Sequence, residues 1–140
     1  MGDYVVGYDG SDCAKAALKV AADLAEATGA GLVIVFGYEP PSMRAGGPVG
    51  YQKDAIEAIG EERLAEAKAI LGDSTVTVET LPVPELPADA VIDVATERGA
   101  SLIVIGTRGE TPLMGAILGS TAYKLLHRSP IPVLVVPAGD

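Results

Sequence analysis

The stretch with the most chemical content is Gly106-Thr107-Arg108-Gly109-Glu110-Thr111-Pro112-Leu113-Met114-Gly115-Ala116-Ile117-Leu118-Gly119-Ser120-Thr121. Gly106 and Gly109 stand where an apolar run ends, and Gly119-Ser120-Thr121 opens a helical pattern. Glycines let backbone N–H groups approach an anion with no Cβ in the way. A helix start adds unpaired N–H groups and the positive end of its dipole, here with two hydroxyls beside them. Together they can surround a di- or triphosphate. Taken singly, Gly106 and Gly109 also read as turn residues and Ser120 as a helix cap; the combination on one long loop is what points to phosphate. Arg108, between two of the glycines, either neutralises an anion or offsets Glu110.

Other chemistries lack their parts. The Gly-x4-Gly-Lys-[Ser/Thr] string of a P-loop is absent, as is Gly-x-Gly-x-x-Gly after the first apolar run. A phosphorelay receiver needs an Asp after strand 3 and a Lys after strand 5. Here the third strand-like run, Thr75–Leu81, leads into Leu81-Pro82-Val83-Pro84, and no basic residue follows the fifth, Val133–Val136. The single cysteine makes no internal disulfide and the single histidine no multi-histidine metal site. Cys13 reads as a small packing residue in the first turn of a helix, a reactive thiolate being the alternative. His127 reads as a cation in the last turn of another helix, where it favours the dipole. With no nucleophile and base placed together, a hydrolase cannot be built.

Composition narrows the field further. Ten basic and 19 acidic side chains among 140 residues leave a net charge of −9, which opposes sequence-independent nucleic-acid binding. A hydrophobic share of 49% excludes a disordered chain. The length allows one core, so residues 1–140 read as a single domain. The longest apolar runs, Leu32–Phe36 and Leu102–Ile105, fall far short of the ~20 residues that span a bilayer. Met1-Gly2-Asp3-Tyr4-Val5-Val6 has no basic region before an apolar stretch, so no signal peptide is expected and the protein is predicted to be soluble and cytoplasmic.

The elements that must position these residues follow from periodicity. Tyr4–Tyr8, Leu32–Tyr38, Thr75–Leu81, Leu102–Ile105 and Val133–Val136 are predicted strands. Most are unbroken apolar blocks, as in strands covered on both faces; Thr75–Leu81 alternates and reads as an edge. Asp12–Thr28, Gln52–Leu71, Ala88–Arg98 and Ser120–Arg128 carry helical stripes, the second with Ile56, Ile59, Leu64, Ala67, Ile70 and Leu71 on its apolar face. The alternation predicts an α/β fold: a three-layer open parallel five-stranded sheet with helices on both faces. Such a sheet reverses direction somewhere, and ligands bind outside the strand carboxyl ends at that reversal. Glu39–Gly50, rich in Pro and Gly, is too long for an ordinary βα connection and reads either as a surface loop or as a lid over the crevice.

The spacing Gly106-x2-Gly109-x9-Gly119-Ser120 resembles the nucleotide-binding signature of the universal stress protein family, and the resemblance covers essentially the whole chain. Val5-Val6-Gly7-Tyr8-Asp9-Gly10-Ser11 is similar to the family's first strand and its Asp-Gly-Ser turn. Gly99-Ala100-Ser101-Leu102-Ile103-Val104-Ile105-Gly106-Thr107-Arg108-Gly109 is similar to its fourth strand with the preceding helix end. Pro130-Ile131-Pro132-Val133-Leu134-Val135-Val136-Pro137 is similar to its closing strand.

The resemblance implies strand order 3-2-1-4-5, an adenine nucleotide alpha hydrolase-like fold, with the switch point between strands 1 and 4. It implies an adenine-nucleotide site for ATP (or AMP or ADP), with Mg²⁺. Gly106, Gly109, Gly119 and Ser120 would hold the phosphates through N–H groups and a hydroxyl, with Thr121 as a further donor. Asp9 would bind ribose hydroxyls or approach a phosphate-bound Mg²⁺ through water, a carboxylate suiting either role; its alternative is to cap the first helix, for which Ser11 and Asp12 lie closer. Gly7 and Tyr8 would flank the sugar, Ile105 and Arg108 border the same site, and Gly37 matches the position where the family backbone reads adenine, widening the pocket. Few aromatics (4%) imply a base held by aliphatic and backbone contacts. Pro84-Glu85-Leu86-Pro87 departs from the family's Gly-x-Pro step: a Glu85 carboxylate bordering the crevice would disfavour a triphosphate. The last strand, apolar on both faces and at an edge, invites pairing with a second copy through Val133, Leu134, Val135 and Val136. The expected activity is nucleotide-dependent regulation by conformation or partner binding, with slow ATP hydrolysis or autophosphorylation at Ser120 or Thr121 as variants. The alternative is a scaffold or dimerisation module of the same fold with no nucleotide.

Overall fold

The computed structural model describes residues 2–39, 49–108 and 118–138. In chain order the elements are β1 (Tyr4–Gly7), α1 (Asp12–Thr28), β2 (Leu32–Gly37), α2 (Val49–Leu71), β3 (Val78–Val83), α3 (Pro87–Arg98), β4 (Leu102–Gly106), α4 (Ser120–Arg128) and β5 (Val133–Val136). The strands form one sheet in the order β3-β2-β1-β4-β5, every neighbouring pair parallel. Between β1 and β4 the order reverses, as expected.

The unbroken apolar strands are explained by burial on both faces. Side chains alternate along a strand, so Tyr4 and Val6 of β1 join Leu32, Ile34 and Val104 on one face, beneath Ala14, Ala17, Leu18 and Ala21 of α1 and Leu64 and Ala67 of α2. Val5 joins Val33, Val35, Ile103 and Ile105 on the other, beneath Ala90, Val91 and Val94 of α3 and Ala122 and Leu125 of α4. Alanine dominates the α1 stripe, which lets that helix lie close to the sheet. Ser11 caps α1, its hydroxyl accepting the Ala14 N–H at 3.1 Å, and Gly29 ends it at φ 81°. That left-handed turn is open to glycine at little cost.

Several boundaries differ from the sequence reading: β1 and β2 end one residue earlier, at Gly7 and Gly37, and β4 one residue later, at Gly106. Strand β3 is shifted along the chain, starting at Val78 rather than Thr75 and continuing through Pro82. The carbonyls of Thr77 and Val83 face β2, accepting from Leu32 and Tyr38 at 2.8 and 3.1 Å. By alternation Pro82 turns its missing N–H to the open edge of the sheet, where proline costs no ladder bond. Helix α2 begins at Val49, ahead of Gln52, and its apolar stripe is narrower than periodicity suggested, since Ile59 is 50% exposed. Pro87 opens α3 as its first residue, its fixed φ fitting the first turn. Residues 40–48, within the segment read as loop or lid, lie outside the described residues.

Candidate functional site

The C-terminal ends of β1 and β4 open into a cleft of about 310 Å³. That volume lies at the lower end of the ~300–1,000 Å³ of small-ligand sites. Its floor is the turn after β1, with Gly7, Tyr8, Asp9 and Ser11; opposite stand Gly106, Thr107 and Arg108 after β4 and Gly119, Ser120 and Thr121 at the start of α4. An apolar wall of Val35, Gly37, Pro87, Val91, Ile105 and Leu118 completes it. Of the residues expected to hold the nucleotide, all that are described fall in this lining; Gly109 lies outside the described residues. Sequence reasoning placed Gly37 and Ile105 at the site but passed over Val35, Pro87, Val91 and Leu118. The signal for Val35 was available in strand parity: it lies two residues before Gly37 and so shares its sheet face.

Gly106 and Gly37 each have a packing reason that the motif alone does not reveal. A Cβ on Gly106 would stand 2.6 Å from Cys13 Cβ and 2.7 Å from the Cys13 carbonyl carbon, so α1 crosses β4 there at backbone contact. Gly37 was expected to widen the pocket. Instead a Cβ there would meet Pro87 Cα at 2.7 Å and the Glu85 carbonyl oxygen at 2.9 Å, so its absence seats the β3–α3 turn against β2. Gly119 is the N-cap of α4 and offers no side chain to cap it. Its own N–H donates to the Thr107 carbonyl at 2.6 Å. The donors left at this helix end are therefore the first-turn N–H groups of Ser120, Thr121 and Ala122, which no intrahelical carbonyl can reach.

Asp9 is not the helix cap. Its Oδ1 accepts the Ser11 N–H at 2.9 Å, which fixes the turn, while Ser11 does the capping. Tyr8 borders the cleft, but its ring packs in the α1–α2 layer and its hydroxyl donates to Glu66 Oε1 at 2.5 Å. Burial, then the Glu66 carboxylate, push this phenol well above its ordinary range. Burial raises the Cys13 thiol too, yet the Thr107 hydroxyl at 3.4 Å and the N–H groups of Arg108 and Ala138 outweigh it and leave the thiol below its usual value. Cys13 is 5% exposed and packs under β4, as a small core residue should.

Electrostatically the cleft is sparse. Asp9 and Arg108 are the charged side chains among its described lining residues. Glu85, expected to add a carboxylate at the crevice, is directed elsewhere: it hydrogen-bonds Asp93 on α3 and is not part of the lining. That bond, followed by burial and the charges of Asp93 and Asp89, raises its pKa to about 7. His127 lies in the last turn of α4, its ring 4.4 Å from that of Tyr123 and away from the cleft. Among the described residues, no three His, Cys, Asp or Glu side chains gather as a metal site, and no helix is long and apolar enough to cross a membrane.

Fold and site together define an open α/β protein with a cleft at the switch point of a parallel sheet and a helix N-terminus facing into it. The chain belongs to the universal stress protein family, whose profile matches residues 3–137. It is 38% identical over 134 residues to a universal stress protein from Thermus aquaticus, covering 94% of this chain and 96% of that protein. Among solved structures, it is similar to a universal stress protein in complex with cAMP, at 33% identity and TM-score 0.71, covering 99% of this chain and 98% of the other. It is also similar to a universal stress protein from Archaeoglobus fulgidus in complex with dAMP, at 27% identity and TM-score 0.72, covering 97% and 98%.

Proposed function

We propose that this chain binds an adenine nucleotide (ATP, ADP or AMP) in the cleft and acts as a nucleotide-dependent regulatory module of the cytoplasmic stress response. The observation that carries the proposal is the convergence, at the β1–β4 switch point, of an α4 start without a side-chain cap, the Asp9 carboxylate and an apolar wall. A phosphate set at the N–H groups of Ser120 and Thr121 gains fixed donors and the positive helix end without desolvating a lysine. The base lies against Val35, Pro87 and Val91, and the ribose reaches Asp9. The cAMP and dAMP complexes of the two similar proteins support this reading. Mg²⁺ would be held largely by phosphate and water, since Asp9 is the one carboxylate among the described lining residues. With no histidine or second carboxylate among the described lining residues, slow ATP turnover is the expectation.

Calorimetry with AMP, ADP and ATP tests the proposal, and absence of binding at millimolar ligand refutes it. Gly119→Val gives the sharper form. Its φ of −73° and ψ of 164° are open to valine, so the fold should survive while an isopropyl group is added at the α4 start where the phosphate is proposed to sit. Nucleotide binding should be lost with the circular dichroism spectrum unchanged.

A homodimer is the second part of the proposal, carried by β5. This strand pairs with β4 on one side only, and Val133, Leu134 and Val135 remain half-buried. Pairing β5 with its copy covers that edge, and a monomer by sedimentation at micromolar concentration overturns it.

A further inference from the structure

The turn that carries Asp9 is held from outside the cleft. Tyr8 and Gly10 flank Asp9, and both are gripped by α2. The Tyr8 hydroxyl donates to Glu66 at 2.5 Å, and Glu66 faces Arg63 Nη1 at 3.8 Å and Lys15 Nζ at 4.0 Å. Arg63 lies across the backbone of Gly10: a Cβ there would be 2.9 Å from its Cδ, 3.0 Å from its Nε and 3.2 Å from its Cζ. Gly10 sits at φ 86°, a conformation that glycine enters and leaves freely, so a side chain laid over it restricts the turn's main source of freedom. The Tyr8 hydrogen bond, and then Lys15 and Arg63, hold the Glu66 carboxyl below its ordinary value, so the grip is ionic at neutral pH.

We propose that Arg63 and Glu66 are positioning residues for the cleft: by clamping Gly10 and Tyr8 they preset the backbone of the Asp9 turn, so that nucleotide affinity depends on helix α2. Neither residue lines the cleft, so the effect is preorganisation rather than contact. Coupling is reciprocal: a nucleotide that orders the Asp9 turn also tightens Arg63 and Glu66 against it, which transmits occupancy from the switch point to α2. The inference rests on the nucleotide reading for its affinity arm but not for its structural arm.

The test measures AMP affinity by calorimetry and amide hydrogen exchange at Ser11, whose N–H bonds Asp9. Glu66→Gln, Arg63→Ala and Arg63→Lys are compared with Glu79→Gln, which removes the Glu79–Arg98 ion pair on the far β3 edge. Glu66→Gln and Arg63→Ala should each weaken AMP about fivefold or more and speed Ser11 exchange. Arg63→Lys, which keeps a charged stem over Gly10, should restore most of both, and Glu79→Gln should move neither. Unchanged AMP affinity and unchanged Ser11 exchange in folded Glu66→Gln overturn the clamp while leaving the nucleotide reading intact. If wild-type protein binds no AMP, that reading falls, and the clamp is judged by Ser11 exchange alone. Should Arg63→Ala fail to fold, Tyr8→Phe removes the hydroxyl end of the same clamp, and slow Ser11 exchange in it counts against the proposal.

Discussion

Gly106→Ala separates two reasons for a glycine at the end of β4. If Gly106 serves only to bring a backbone N–H to a phosphate, alanine weakens the ligand and leaves the empty protein as stable as before. The geometry argues otherwise. The new methyl would lie 2.6 Å from Cys13 Cβ, 2.7 Å from its carbonyl carbon and 2.9 Å from its carbonyl oxygen. Ordinary carbon contacts lie at roughly 3.5–4.0 Å, so α1 must back away from β4 by about 1 Å. Two of the three close atoms are backbone, so no rotamer change relieves the clash. Overpacking of this kind costs about 1–3 kcal/mol. For a domain of this size each kcal/mol lowers Tm by about 3 °C, giving a fall of about 3–9 °C. Thermal denaturation of nucleotide-free protein is the assay, with the urea m-value checked for unchanged two-state unfolding. An unaltered Tm in Gly106→Ala would refute the packing argument and return the residue to a purely ligand-facing role.

Two further outcomes follow from the geometry. Glu85 has a folded pKa of about 7 against 4.5 for the free side chain, so the folded state holds more protons between those values. The stability this contributes is full below about pH 4.5 and is lost as pH rises through 7; denaturant midpoints of wild type should therefore fall across that window relative to Glu85→Gln, and parallel curves would count against the Glu85–Asp93 bond. At β5, the Pro132 and Val136 carbonyls face β4, accepting from Ile103 and Thr107 at 2.9 and 3.0 Å, so by alternation Val135 turns its N–H outward. Val135→Pro should leave the sheet folded and convert a dimer to monomer by sedimentation; a dimer that persists would move the interface away from the strand edge.

The element order was legible because strand and helix periods are local. Alternate burial of Val5 and Val6 on opposite faces and the alanine stripe of α1 can be read from neighbouring residues alone. The segments expected to meet at the switch point do line one cleft, apart from Gly109. What misled were roles assigned by motif position. Gly119 reads as a phosphate donor until its N–H is found on Thr107. Gly37 reads as a widened pocket until Pro87 is found against it. Glu85 reads as a crevice carboxylate until Asp93 accounts for it. In each case a polar or steric demand was met by a group that the motif's fixed positions do not specify.

By itself, the sequence determined which segments become strands and helices, that both sheet faces are buried, and, through resemblance, the strand order and family. Those properties depend on periodicity within about twenty residues and on burying apolar stripes, which many side-chain arrangements satisfy. Only the tertiary structure decided which hydrogen bonds and close contacts each site residue makes. Tyr8 meets Glu66 across 58 positions and Cys13 meets Thr107 across 94. No local pattern encodes such pairings, because a donor takes the nearest acceptor in space, and that neighbour is set by how α1 and α2 seat on the sheet.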